Sequence, residues 1–172
     1  MSRKVIDKIK AKFPDAVIES GVALGDAFAM VKRGSYFDVV KFLKEDPDCL
    51  MNHFIDLTCV DWPDREDRFE VVLHLRSQAL NHRVRIKTVA AAVDPSVASV
   101  VPIFRGANWF EREAFDMYGV KFEGHPDMRR LLLWEGFEGH PLRKDYPKNR
   151  RQCPTAMLDD FPKQPPPFGE RS

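Results

Sequence analysis

The sequence predicts an α+β fold: a mixed, largely antiparallel sheet with helices packed on one face, followed by an extended, proline-rich C-terminal tail. Three observations carry this. Apolar residues recur at helical spacing in separate stretches. Residues 69–76 and 82–90 alternate apolar and polar, which implies a sheet with one covered and one wet face. Seven of the 13 prolines fall between Pro141 and Pro167, where periodic apolar pattern disappears. The boundaries predicted are an α+β domain over 1–122, an arm with two Gly-His-Pro bends over 123–144, and a tail over 145–172.

Taken in order, Val5, Ile6, Ile9 and Phe13 line one face of a first helix that Pro14 ends. Two short strands near Ala16–Ser20 and Ala27–Lys32 are joined through Gly21 and Gly25. Ser35 opens a second helix with Asp38 as its capping-box partner; Tyr36, Val39, Val40 and Leu43 form its apolar stripe, and Pro47 stops it. Three strands follow at His53–Val60, Phe69–Arg76 and His82–Ala90, with Arg83, Arg85 and Lys87 opposite Val84, Ile86 and Thr88. Asp94-Pro95 reads as the start of a third helical region, broken by Pro102 and Gly106. Asn108 restarts a helix with Glu111 in the capping-box position and Gly119 as the residue that ends it. The run of short connections argues for helices covering one sheet face. Beyond Pro141 the chain holds too little apolar pattern to fold on itself, so the tail reads as extended and polyproline-like, either free or laid along a partner.

Composition excludes several classes. An apolar fraction of 44% and a charged fraction of 31% over 172 residues describe a globular chain. A formal charge of +1 gives no general attraction to nucleic acid or acidic lipid. MSRKVIDKIK has no apolar signal region, and no run approaches the ~20 apolar residues of a membrane helix. Cys49, Cys59 and Cys153 form neither a disulfide framework nor a CxxC pair, and read as reduced thiols in a reducing compartment.

The helix after Asn108 concentrates the chemistry. Phe110, Ala114 and Met117 share a core stripe, but Trp109, Phe115 and Tyr118 place aromatic rings on the other faces. A helix that is apolar all round is covered all round, which points to a partner protein. Arg112 and Asp116 stand at i,i+4 as an ion pair. Glu113 and Asp116, at i,i+3, could share a proton or a cation, and a free-standing hydrolase using them is the remote alternative; structural ion pairing is the more usual fate of such charges. Glu123-Gly124-His125-Pro126 precedes Arg129-Arg130, and Glu138-Gly139-His140-Pro141 precedes Arg143-Lys144. Each unit reads as a rigid bend presenting two cations. His125 and His140 lack the further ligands zinc requires. The cations Arg129, Arg130, Arg143, Lys144, Lys148, Arg150 and Arg151 lack the aromatic motif of an RNA module. No GxSxG, HExxH, GxGxxG or P-loop is present.

Glu111-Arg112-Glu113, Asp116-Met117-Tyr118-Gly119-Val120, Phe122, Gly124-His125-Pro126-Asp127 and Arg129-Arg130-Leu131-Leu132 closely resemble the defining motif of one family. It is the thirty-kilodalton (C) subunit of respiratory NADH–quinone oxidoreductase (complex I). Gly139-His140-Pro141-Leu142-Arg143-Lys144-Asp145-Tyr146-Pro147 is similar to that family's entrance into its tail. Met128 departs from the leucine expected there and conserves volume. The resemblance implies an α+β subunit of the hydrophilic arm with no cofactor and no catalytic or metal-binding residue of its own. FMN, iron–sulfur clusters and quinone would sit in partner subunits, and the tail would spread over the neighbouring D subunit of the complex. It implies a peripheral place on the cytoplasmic side of the inner membrane (the matrix side in an organelle), membrane contact only through the complex, and no nucleic acid. The chain ends after the tail, which reads as unfused to the D subunit. Glu111, Arg112, Glu113, Asp116, Tyr118, Gly119, Gly124, His125, Pro126, Asp127, Arg129, Arg130, Gly139, His140, Pro141, Arg143, Asp145 and Tyr146 are then expected to shape the fold and its interface. The equivalent component of a membrane-bound hydrogenase, or of a complex with another donor, is the alternative.

Overall fold

The structure, a computed structural model, describes residues 2–150 and Gln152. Helix α1 (Ser2–Lys12) leads into the hairpin β1 (Val17–Ala23) and β2 (Asp26–Val31). A 3₁₀ turn (Arg33–Ser35) precedes α2 (Tyr36–Glu45). Strands β3 (His53–Asp61), β4 (Phe69–Ser77) and β5 (His82–Ala90) form a meander, and β6 (Ser96–Ala98), α3 (Ala107–Tyr118) and β7 (Lys121–Glu123) complete the body.

The main sheet has the order β1-β2-β5-β4-β3; every pair is antiparallel except β2 with β5. Alternation fixes which side is covered. Ala27 and Ala29 pair with Val84 and Ile86, these with Leu75 and Leu73, and Leu73 and Val71 in turn with Leu57 and Cys59. All belong to one buried cluster with Val5, Ile6 and Ile9 of α1, Tyr36, Val39, Val40 and Leu43 of α2, and Ala107 and Ala114 of α3. The opposite face is polar and half-buried, held by Lys87 Nζ donating to Glu70 Oε1 at 2.8 Å and Arg85 Nε donating to His74 Nε2 at 2.8 Å. The helices-on-one-face fold predicted from periodicity is therefore the one observed.

Several local expectations are corrected. Residues 96–98 form no helix: Asp94 takes a left-handed φ of 50°, and Ser96–Ala98 pairs in parallel with Lys121–Glu123. Ser96–Ala98 finds a distant strand partner, and this tertiary pairing overrides the local proline-after-cap signal. Ser35 precedes α2 but makes no side-chain cap bond, so the Ser35/Asp38 box is not formed. Gly21 lies within β1, and the hairpin turns instead at Leu24-Gly25.

Candidate functional site

Helix α3 packs on β3, the sheet edge far from β1, and the arm that follows β7 folds back over the helix. Gly119 ends α3 in the left-handed region (φ 77°), and its N–H bonds the Phe115 carbonyl. Gly124 (φ 83°) and Gly139 (φ 90°) permit the two Gly-His-Pro bends. At Gly119 space is equally limiting: a Cβ would stand 2.6 Å from His140 Nε2 and would also collide with Arg143.

What the bends bring together is mostly the chain's own backbone. Asp116, fully buried, accepts from Arg130 Nη1 at 2.7 Å and from the consecutive N–H groups of Leu131, Leu132 and Leu133 at 3.1, 2.8 and 2.9 Å. Successive amides converging on one anion form a nest. Burial by itself would raise the Asp116 carboxyl, but these four donors outweigh it and hold the group below its ordinary value. Arg130 also donates to the Phe137 carbonyl at 3.0 Å. The expected Arg112–Asp116 pair is therefore not made: Arg112 donates to the carbonyl oxygens of Arg129 and Arg130, each at 3.0 Å. Arg129, in contrast, is exposed and pairs with Asp127 at 2.7 Å.

The histidines behave alike. His125 Nε2 donates to the Asn108 carbonyl at 3.2 Å, while its Nδ1 accepts from the Asp127 N–H at 2.9 Å. His140 Nδ1 donates to the Asp116 carbonyl at 2.9 Å, and burial lowers its basicity. Arg143 Nε donates to the Tyr118 carbonyl, and its guanidinium covers the Phe69 ring with a 5.0 Å separation. Neither bend presents two free cations.

Glu111 does not cap α3, which begins at Ala107 with no side-chain cap bond, so the Asn108/Glu111 box is absent. Its buried carboxyl instead accepts from Ser99 Oγ at 2.7 Å and the Val100 N–H at 2.7 Å, tying α3 to β6. Burial pushes this group up to about 7, against those two bonds. The buried hydroxyl of Tyr36, close enough to feel the Glu111 charge, has no hydrogen-bond partner among the described residues.

A second cluster was missed from sequence. Arg68 forks onto buried Asp61 at 2.6 and 2.8 Å and reaches Asp145 at 2.9 Å, while the Lys144 N–H adds a bond to Asp61 at 2.7 Å. The Arg68 bonds, the largest influence, lower the Asp61 carboxyl. A signal existed: Asp61 continues the covered-face phase of Leu57 and Cys59, where a carboxylate demands a partner. The start of the tail also meets its own arm: Tyr146 stacks on Phe137 at 6.1 Å, and Gln152 donates to Tyr146 Oη at 2.8 Å. Residue 151 and residues 153–172, with most of the expected extended tail, lie outside the described residues.

Glu113 is exposed while Asp116 is locked inside the arm, so the two carboxylates share no cleft. Among the described residues no group of three or more His, Cys, Asp or Glu is placed to hold a metal, and no helix is long and apolar enough to cross a membrane. What the site leaves outward is apolar. Trp109 (67% exposed) and Leu132 (64%) flank a groove with Phe110, Glu113 and Leu131.

Residues 29–152 match the family described as respiratory-chain NADH dehydrogenase, 30 kDa subunit. The NADH-quinone oxidoreductase C subunit of Caulobacter vibrioides is 50% identical over 139 residues, 81% of this chain and 70% of that protein. The same-named protein of Rhodopseudomonas palustris is 48% identical over 141 residues, 82% of this chain and 70% of its own. Among solved structures, the trypsin-resistant fragment (1–134) of Nqo5 superposes with a TM-score of 0.62 at 26% identity, covering 73% of this chain and 97% of the fragment. A chain of the membrane-bound sulfane sulfur reductase, an archaeal respiratory membrane complex, superposes with a TM-score of 0.71 at 26% identity, covering 94% of this chain and 95% of that one.

Proposed function

The chain belongs to the respiratory-chain NADH dehydrogenase 30 kDa family, the C subunit of the NADH–quinone oxidoreductase complex, and from that premise we propose that it is a scaffold holding no redox group of its own. One observation carries this. Apart from exposed Glu113, the side chains of the α3–arm motif that could do chemistry are spent on the chain's own structure, and the surface left beside them is the largely apolar Trp109–Leu132 groove.

In this reading the arm is an internal clamp that presents a docking face to the D subunit, in the hydrophilic part of the complex. FMN, iron–sulfur clusters and quinone lie in partner subunits, and the chain is peripheral on the cytoplasmic (or matrix) side, reaching the membrane only through them. Arg129, exposed on the arm over a second groove with Phe115 and Leu133, adds a polar contact for the same partner. The likeness to a chain of the sulfane sulfur reductase complex favours a fold that serves complexes with different electron acceptors, as a scaffold would.

The test uses Trp109→Glu and Leu132→Glu, which place a charge in the groove; Leu132 meets the clamp through its backbone N–H, which the substitution keeps. Membranes should hold severalfold less intact complex on a native gel, while NADH–quinone activity per intact complex stays at the wild-type level. Unchanged assembly with a collapse of activity per complex would place these residues in the redox reaction and remove the scaffold reading.

A further inference from the structure

We propose that the free edge of β1, at the opposite end of the sheet from α3, accepts an extended strand from a second neighbouring subunit. This rests on the scaffold reading and extends it: the chain would bridge two partners, one at each sheet edge.

The edge is open along most of its length. β1 pairs only with β2, and its other side meets no strand among the described residues. Natural edges are blunted by lysine, proline, bulges or covering elements. β1 has no lysine or proline, its single bulge lies at Ile18, and Glu19–Ala23 runs in regular register. Ile18 is 55% exposed and Val22 50%, both large and β-branched. The other edge strand, β3, likewise carries one bulge, at Phe54–Asp56, and has α3 packed on it as β1 has α1.

The hairpin tip points the same way. Leu24 (φ 53°) and Gly25 (φ 90°) make a two-residue turn with positive φ at both positions, where Asn-Gly is the favoured pair. Leucine is strained there, and its side chain is fully exposed. Nothing among the described residues compensates for either cost, and such uncompensated choices mark functional places.

A second copy of this chain is the weaker occupant on area. Five regular residues span about 17 Å, so a strip about 10 Å deep gives roughly 170 Å² a side, against the ~800 Å² per partner of a free-standing interface. A strand whose own subunit is already anchored in the same complex needs no such area, because its local concentration is set by tethering. The fitting partner segment is extended, β-branched where it meets Ile18 and Val22, and basic opposite Glu19.

The experiment compares hydrogen exchange of the chain alone and within the complex purified from native membranes, with a photo-crosslinking residue at position 22 in a parallel sample. The expected result is at least tenfold slower exchange of the outward β1 amides in the complex, a crosslink to a different polypeptide of the complex, and loss of that protection in Val22→Lys. Unchanged β1 exchange on assembly overturns the inference, as does a crosslink to another copy or to this chain's own residues. The same data separate the two readings. Protection at the α3–arm groove without protection at β1 sinks this inference alone, and protection at neither sinks both.

Discussion

Removing the Asp116 carboxylate should release the arm from α3. The side chain stands in the last turn of the helix, where the macrodipole disfavours a negative charge, so its place is justified only by the four donors it gathers. Asp116→Ala strands three part-buried N–H groups and one guanidinium. At about 1 kcal/mol for each partly solvated amide and about 2 kcal/mol for the charged bond, the loss is ~3–5 kcal/mol, the range of a broken buried charge pair. Asp116→Asn keeps the volume and one acceptor oxygen, but turns an NH2 toward a donor, for a loss of about 2 kcal/mol. The folded carboxyl lies below its ordinary value, so its contribution is present above the unfolded pKa of ~3.9 and disappears as pH falls through the lower folded one. The gap between wild type and Asp116→Ala should therefore close on acidification. Urea unfolding measures the loss, and amide exchange at Leu131–Leu133 shows whether the arm has come away. An Asp116→Asn protein within 0.5 kcal/mol of wild type (roughly a factor of 2 in population), with those three amides still protected, would mean apolar contacts alone seat the arm.

Glu111 should show the opposite pH sign. Its folded carboxyl is raised to about 7, so the native state holds the proton more tightly than the unfolded chain. Its contribution is complete below the unfolded value of ~4.3 and is lost as pH rises to about 7; Glu111→Gln, able to accept from Val100 and donate to Ser99, should flatten that decline and equal or exceed wild-type stability at pH 8, measured by urea titration across pH. Gly119→Ala combines a positive φ with a collision against His140 and Arg143; a loss of about 3 kcal/mol or more is expected, seen as a lowered urea midpoint with exchange rising first in the arm.

Short-range pattern was legible in the sequence and long-range pairing was not. The stripes of α1 and α2 and the alternation of β4 and β5 came from periods of 3.6 and 2, which need only neighbouring residues. Ser96–Ala98 was misassigned because its strand partner lies after α3, and a local proline signal was all the sequence offered. Asp116 was matched to Arg112 one turn away, whereas its partners arrive from the arm after the chain has turned at Gly119 and Gly124. The motif's importance was visible in its density of charge and aromatic residues. That these side chains serve the chain's own backbone was not, because carbonyl and amide partners leave no mark on residue identity. Glu111 and Asp61 could have been recognised as carboxylates standing in the apolar phase of their elements.

The single parallel pairing in the sheet bears on how the chain reaches its fold. Ala27 lies beside Val84, 57 positions further along, so joining β2 to β5 closes a long loop at a cost of roughly 4 kcal/mol in chain entropy before any constant. The β3–β4–β5 meander closes only short loops and can form first. Until the N-terminal hairpin docks, β5 is itself an open edge bearing Val84 and Ile86. The vulnerable interval of this chain is therefore a kinetic one, late in folding, with its length set by the search of β2 for β5.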